Sequence, residues 1–168
     1  MSDSQQPTYL VSACSDPVVV RVNGKANYLN CNNFKAFIEQ VIAKGAGRIL
    51  LDFESCEGMD STFLGILAGT ALELRRKDPP GNLSLCCLGQ RNRELIENLG
   101  LQNLLDICEN SDAALNGTLD HLNDEEVRDR KTVLKAHESL SEATAGNKTK
   151  FQDVIAFLRN QVESENQS

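Results

Sequence analysis

Asp60, Ser61 and Thr62 stand between a small polar loop and a mostly apolar run that reaches Leu74, and their types suit phosphoryl chemistry. A hydroxyl where a helix begins lies beside backbone N–H groups that lack intrahelical acceptors and favour negative charge. A phosphoryl group on it would add about −1.5 to −2 charges beside Asp60, offset by the helix dipole by roughly 0.3 to 1 kcal/mol, so the fold is expected to survive the modification. The plainer role for the same residues is capping, with Ser61 as the N-cap. Asp52, at the end of the apolar run RILLDF, is a second candidate, because phosphoryl-accepting aspartates sit at the ends of parallel strands. Such an aspartate needs an acidic pair at the end of the first strand and a Lys after the last one, and neither is found.

Other chemistries find less support. No GxSxG surrounds Ser61, and His121 and His137 both fall in the C-terminal third, where His137 lies among apolar positions and is read as packing or interface. There is no GxxxxGK[ST] or GxGxxG to cradle a nucleotide. The six cysteines form no CxxC pair and no His stands at ligand spacing, so they are read as small apolar side chains, with neither metal nor cofactor expected. Arg75, Arg76 and Lys77 suit the C-terminal end of a helix, or a patch for an acidic partner.

Composition sets the outer bounds. With 168 residues, 40% hydrophobic and 24% charged, the chain suits one α/β domain plus an appendage. A formal net charge of −7, no stretch that gathers the Lys and Arg needed to track a phosphate backbone, 5% aromatics and no Trp argue against a nucleic acid partner. No apolar run reaches the roughly 18 residues of a membrane span, and residues 1–7 are polar with no apolar stretch behind them, so a cytoplasmic protein with a disordered N-terminus and no membrane partner is expected.

The elements follow from periodicity. Tyr9, Val11 and Ala13 alternate, Asp16 and Pro17 punctuate, and Val18 to Val22 resumes, which predicts a hairpin. Phe34, Phe37, Ile38, Val41 and Ile42 share one helical face, capped by Asn30 or Asn32 and ended by Gly45. Strands are predicted at 48–53, 83–88 and 104–108, and helices at 61–77 and 92–99, an alternation that implies parallel strands joined by right-handed helical crossovers. The domain is bounded at 8–116. Residues 117–168 read as a helical hairpin: Asn123 and Glu126 form a capping box, a loose stripe runs from Val127 to Leu140, and a cleaner one runs through Phe151, Val154, Ile155, Leu158 and Val162. Such a pair must pack on the domain or on a second subunit, the latter making a homodimer.

With these elements in place, the spacing of Asp52 to Asp60, Ser61, Thr62, Leu64 and Gly65 resembles the STAS domain of bacterial anti-anti-sigma factors (anti-sigma factor antagonists), whose hallmark is strand, loop, then D-S-[ST]-G-L-G. Val18 to Gly24 is similar to that family's second strand, and Leu99, Gly100 and Leu101 to its approach to the last one, so the resemblance covers about Thr8 to Cys108. It implies a mixed-sheet STAS-like fold and a regulatory binding module, not an enzyme. Ser61 would be phosphorylated by an anti-sigma factor serine kinase and reset by a metal-dependent serine phosphatase, so that partners are switched. Asp60, Thr62, Phe63, Asn23 and Lys25 would contact the partner. Two departures stand out: Phe63 replaces the family's Gly, and Lys25 and Ala26 stand where an acidic residue is often found. Phe63 either tucks under the helix or lies on the docking face. The same family includes scaffolds and accessory subunits of lipid-transport ATPases that dock without phosphorylation.

Overall fold

The computed structural model describes residues 8–109, 119–122 and 128–166. The expected disorder of residues 1–7, the domain boundary at 116 and the capping box at Asn123 and Glu126 fall outside the described residues. The strands are β1 (Tyr9–Ser12), β2 (Val18–Val22), β3 (Gly24–Ala26), β4 (Arg48–Asp52), β5 (Cys56–Met59), β6 (Asn82–Cys86), β7 (Asp106–Cys108) and β8 (Asp120–His121). The helices are α1 (Asn32–Ala43), α2 (Ser61–Arg75), α3 (Gln90–Asn98), α4 (Arg130–Ala143) and α5 (Ala145–Asn166).

The six-stranded sheet has the order β7-β6-β4-β2-β1-β8. β2, β4, β6 and β7 run parallel, as crossover helices require, whereas β1 pairs antiparallel with β2 and with β8. The predicted opening hairpin and α/β alternation are both present. Three strands were not foreseen: β3 and β5 pair beside the site in a small parallel sheet, and β8 is a two-residue addition to the β1 edge. Each is too short to show a period. The final strand is shorter than 104–108, because Leu101–Asn103 forms a 3-10 turn that turns Leu105 into the core. Cys31, not Asn30 or Asn32, is the N-cap of α1; Asn30 Oδ1 is engaged by the Tyr9 hydroxyl and by the Asn27 N–H, each at 3.0 Å.

The burial of α2 organises the rest. Its sequence STFLGILAGTALELR is apolar on nearly every side, and Thr62 to Ala68, Thr70, Ala71 and Leu74 are all buried. A helix of that kind must be covered on both faces. The sheet and α1 cover one, through Val20, Val22, Leu51, Leu85 and Phe34, and α4 covers the other, through Ala136 and Leu140. The hairpin of α4 and α5 is thus packed on its own domain.

Cys31 and Cys86 are buried as packing groups. Burial, and then the nearby Asp60 carboxylate, push the Cys31 thiol up to about 12; burial and the neighbouring Asp52 raise Cys86 as well. Cys14 is exposed. Iodoacetamide at about pH 8 is expected to label Cys14 and to leave Cys31 and Cys86 unlabelled until the chain unfolds, as peptide mass mapping would show.

Candidate functional site

The site is built where the β3–α1 connection meets the start of α2. Asp60, not Ser61, is the N-cap: its backbone is extended (φ −103°, ψ 177°) and its Oδ1 accepts the Phe63 N–H at 2.9 Å. Only an extended residue can aim a short carboxylate back at the third N–H of the helix, and Ser61 is already helical. The second oxygen, Oδ2, accepts the Tyr28 N–H at 2.8 Å, while the Asp60 N–H donates to Ala26 O at 3.1 Å. One aspartate therefore fastens the loop before α1 to the mouth of α2. Asp60→Ala removes a cap worth about 1 kcal/mol plus the tie to Tyr28, so a loss of about 2 kcal/mol and a melting point lower by roughly 4–8 °C are expected by calorimetry. Asp60→Asn, which keeps one acceptor oxygen, should lose about half as much.

Ser61 is the first residue of the helix and is half-buried. Its Oγ lies 2.9 Å from His137 Nε2, and His137 Nδ1 lies 2.7 Å from the carbonyl oxygen of Val133. A carbonyl can only accept, so Nδ1 carries a proton, and in the neutral ring Nε2 accepts the hydroxyl proton of Ser61. His137 is buried and meets the ring of Phe151 edge-on at 5.4 Å. Tyr28, Ser61, Val133, Leu158 and the guanidinium-bearing Arg128 and Arg130 line a cavity of about 610 Å³ beside this hydroxyl. Sequence reasoning left His137 in the appendage, 76 positions from Ser61. The available signal was a polar ring on an apolar stripe.

The other expected site residues are spread over two environments. Phe63 is fully buried, tilted against Phe34 at 5.0 Å, stacked on Tyr9 at 6.2 Å and edge-on to Phe53 at 6.4 Å, so it tucks under the helix and offers no surface. Thr62 and Asn23 are also buried, while Lys25 is exposed. Asp52 is wholly buried, paired in register with Arg21, whose Nε lies 3.3 Å from its Oδ2, and it accepts the Glu54 N–H at 2.9 Å. That leaves no open carboxylate for phosphoryl transfer. Asp52, Cys86 and Cys87 bring ligand-type atoms within 4.8 Å of one another, among the described residues, with Arg21 already supplying the countercharge.

The outer face of α2 meets α4 closely. A Cβ at Gly65 would overlap the Ala136 carbonyl, and one at Gly69 would meet Ser139 Oγ at 2.9 Å. Ser61, Gly65 and Gly69 are four residues apart and share one face. Asp129 caps α4 by accepting the Lys131 N–H at 3.0 Å, and Asn147 at the turn of the hairpin donates to Leu99 O and Leu140 O, each at 2.9 Å.

Comparison with known proteins agrees with this fold. The family model for the STAS domain matches residues 9–114. The anti-sigma factor antagonist SpoIIAA in its unphosphorylated form superposes with a TM-score of 0.53 at 20% identity, over 62% of this chain and 91% of that one. The Bacillus cell fate determinant SpoIIAA in its phosphorylated form gives 0.51 at 22% identity, over 62% and 95%. An anti-sigma factor antagonist from Mycobacterium paratuberculosis gives 0.57 at 25% identity, over 68% and 96%.

Proposed function

The chain belongs to the STAS domain family, and from that premise we propose that it is an anti-sigma factor antagonist, a regulatory binding module switched by phosphorylation of Ser61. The observation that carries this reading is the Ser61 hydroxyl itself: directly after the Asp60 cap, at the mouth of α2, facing a cavity. A protein of similar fold is known in phosphorylated and unphosphorylated forms, which supports the same chemistry here. The partners would be an anti-sigma serine kinase and a serine phosphatase, in the cytoplasm, with no reaction catalysed by this chain. Exposed Lys25 and Tyr28, with Asp60, form the rim on which a partner would first land.

The physics of such a switch is local. A phosphoryl group on Oγ replaces the proton that His137 Nε2 accepts, so modification removes that hydrogen bond and sets a dianion against a buried ring. The sequence alone suggested that the fold would survive a dianion there. The His137 contact means that the hairpin feels it. Burying an unpaired dianion at an interface costs several kcal/mol, and each 1.4 kcal/mol is tenfold in affinity. Incubation with an anti-sigma-type serine kinase and ATP, followed by phosphopeptide mapping, is expected to place the phosphate on Ser61 and to find none in Ser61→Ala. Absence of phosphate would leave Ser61 as cap neighbour and contact only, the situation of a non-phosphorylated scaffold or transporter accessory subunit.

A further inference from the structure

The α2 face that carries Ser61 is not bare. α4 lies along it, with Ala136 against Gly65, Ser139 against Gly69 and His137 on the Ser61 hydroxyl. We infer that this face is a helix-receiving surface, that the C-terminal hairpin is its resident occupant, and that a partner docks on Ser61 by displacing α4 and laying a helix of the same kind in its place. Three observations support an exchangeable contact over a permanent one. The interface is made of small and polar groups, with Leu140 as its one large, fully buried aliphatic side chain from α4. It is flanked by open grooves of about 260 Å³ along Gly65 and Gly69 and about 610 Å³ at Ser61, so solvent reaches the contact from two sides. Its ion pair, Arg76 with Glu142 at 2.7 Å, is solvent-exposed, and such pairs add little.

The chemistry of the incoming helix follows from the glycines. The two glycines let a backbone approach closely, and large residues in the partner would be held off, so it must present Ala or Ser at positions three apart, as Ala136 and Ser139 do. The face is apolar around them, so leaving it open to water is costly and the arrival of the partner favours release of α4. The link to Ser61 rests on the phosphorylation proposed above: α4 and a kinase cannot hold the same hydroxyl, so the hairpin must leave before phosphate is transferred.

The test uses the full-length chain and, as probe, a synthetic peptide of residues 128–166 added in trans. Ala136→Leu, on α4, overfills the gap at Gly65 and leaves the α2 face unaltered. In that variant the amides of α4 and α5 are expected to exchange hydrogen at least about tenfold faster, with β4 and β6 unchanged. The wild-type peptide should bind Ala136→Leu at least about tenfold more tightly than it binds the wild-type chain, and adding Gly65→Val should abolish that gain. Should Ala136→Leu disturb β4 and β6, His137→Ala opens the latch without adding bulk and faces the same comparison. The inference is overturned if α4 in these variants stays as protected as the sheet, or if peptide binding is indifferent to Gly65→Val. Peptide binding uses no phosphate, so its failure leaves phosphorylation of Ser61 standing, and a Ser61 that takes no phosphate leaves the helix-receiving face standing.

Discussion

Phe63→Ala is expected to lower stability by about 3–5 kcal/mol, the usual cost of emptying a fully buried aromatic site. The reason is the position of the ring. Phe63 sits among Tyr9, Phe34 and Phe53, so its loss removes three ring contacts at once and leaves a cavity walled by β1, α1 and the end of β4, which cannot all move inward together. For a chain of this size the melting point should fall by roughly 10–15 °C, read by calorimetry. Phe63→Gly, which restores the residue usual in the family, should be worse by about 1 kcal/mol, because glycine in the first turn of α2 also weakens the helix. A fall of less than about 3 °C in either variant would show that the aromatic group is not what anchors α2.

Arg21→Met should have a comparable effect by a different route. The Asp52 carboxylate is wholly buried and its one ion-pair partner among the described residues is the Arg21 guanidinium. Removing that partner leaves a buried charge uncompensated, at a cost of about 3–5 kcal/mol. The cause can be separated from lost packing, because Asp52→Asn placed in the Arg21→Met chain removes the charge while its amide oxygen can still accept the Glu54 N–H. That double variant should recover most of the loss in urea unfolding, with a coupling energy of at least about 1 kcal/mol. Equal stability of the single and double variants would mean that the pair holds no strand register and only fills space.

The parts of the fold written in strong periodicity were legible. The 3-4 spacing of Phe34, Phe37, Ile38, Val41 and Ile42 gave α1, and the continuous run at Arg48 to Phe53 gave a central parallel strand, observed over Arg48–Asp52. What escaped was short or non-local. β3 and β5 hold three and four residues, four of the seven polar or glycine, and they exist because they pair with each other beside the site. The identity of the cap turned on backbone geometry: Asp60 and Ser61 both have N-cap chemistry, and only the extended conformation of Asp60 decides between them. The role of Phe63 was open because a first-turn residue can face either way, and the ring cluster that receives it comes from β1, α1 and the residue just after β4. The contact of His137 with Ser61 joins two units that no local pattern relates. The near-uniform apolarity of α2 did contain a clue, since a helix with no polar face needs a second cover, and two glycines on that face specify a close one.

β8 gives the hairpin a property that its packing alone would not. Leu10 and Val11 pair with His121 and Asp120, and the Leu122 N–H reaches Tyr9 O at 3.0 Å, so the chain is pinned to the sheet edge only a few residues before α4 starts. An α4 that lifts off therefore stays on a short leash, at an effective concentration in the millimolar range. A competitor present at micromolar levels must then bind the α2 face about a thousandfold more tightly than α4 does to hold half of the molecules. The length of that leash, together with the strength of the α2–α4 contact, sets the threshold at which a competitor enters, and lengthening it would ease entry without altering a single residue of the site.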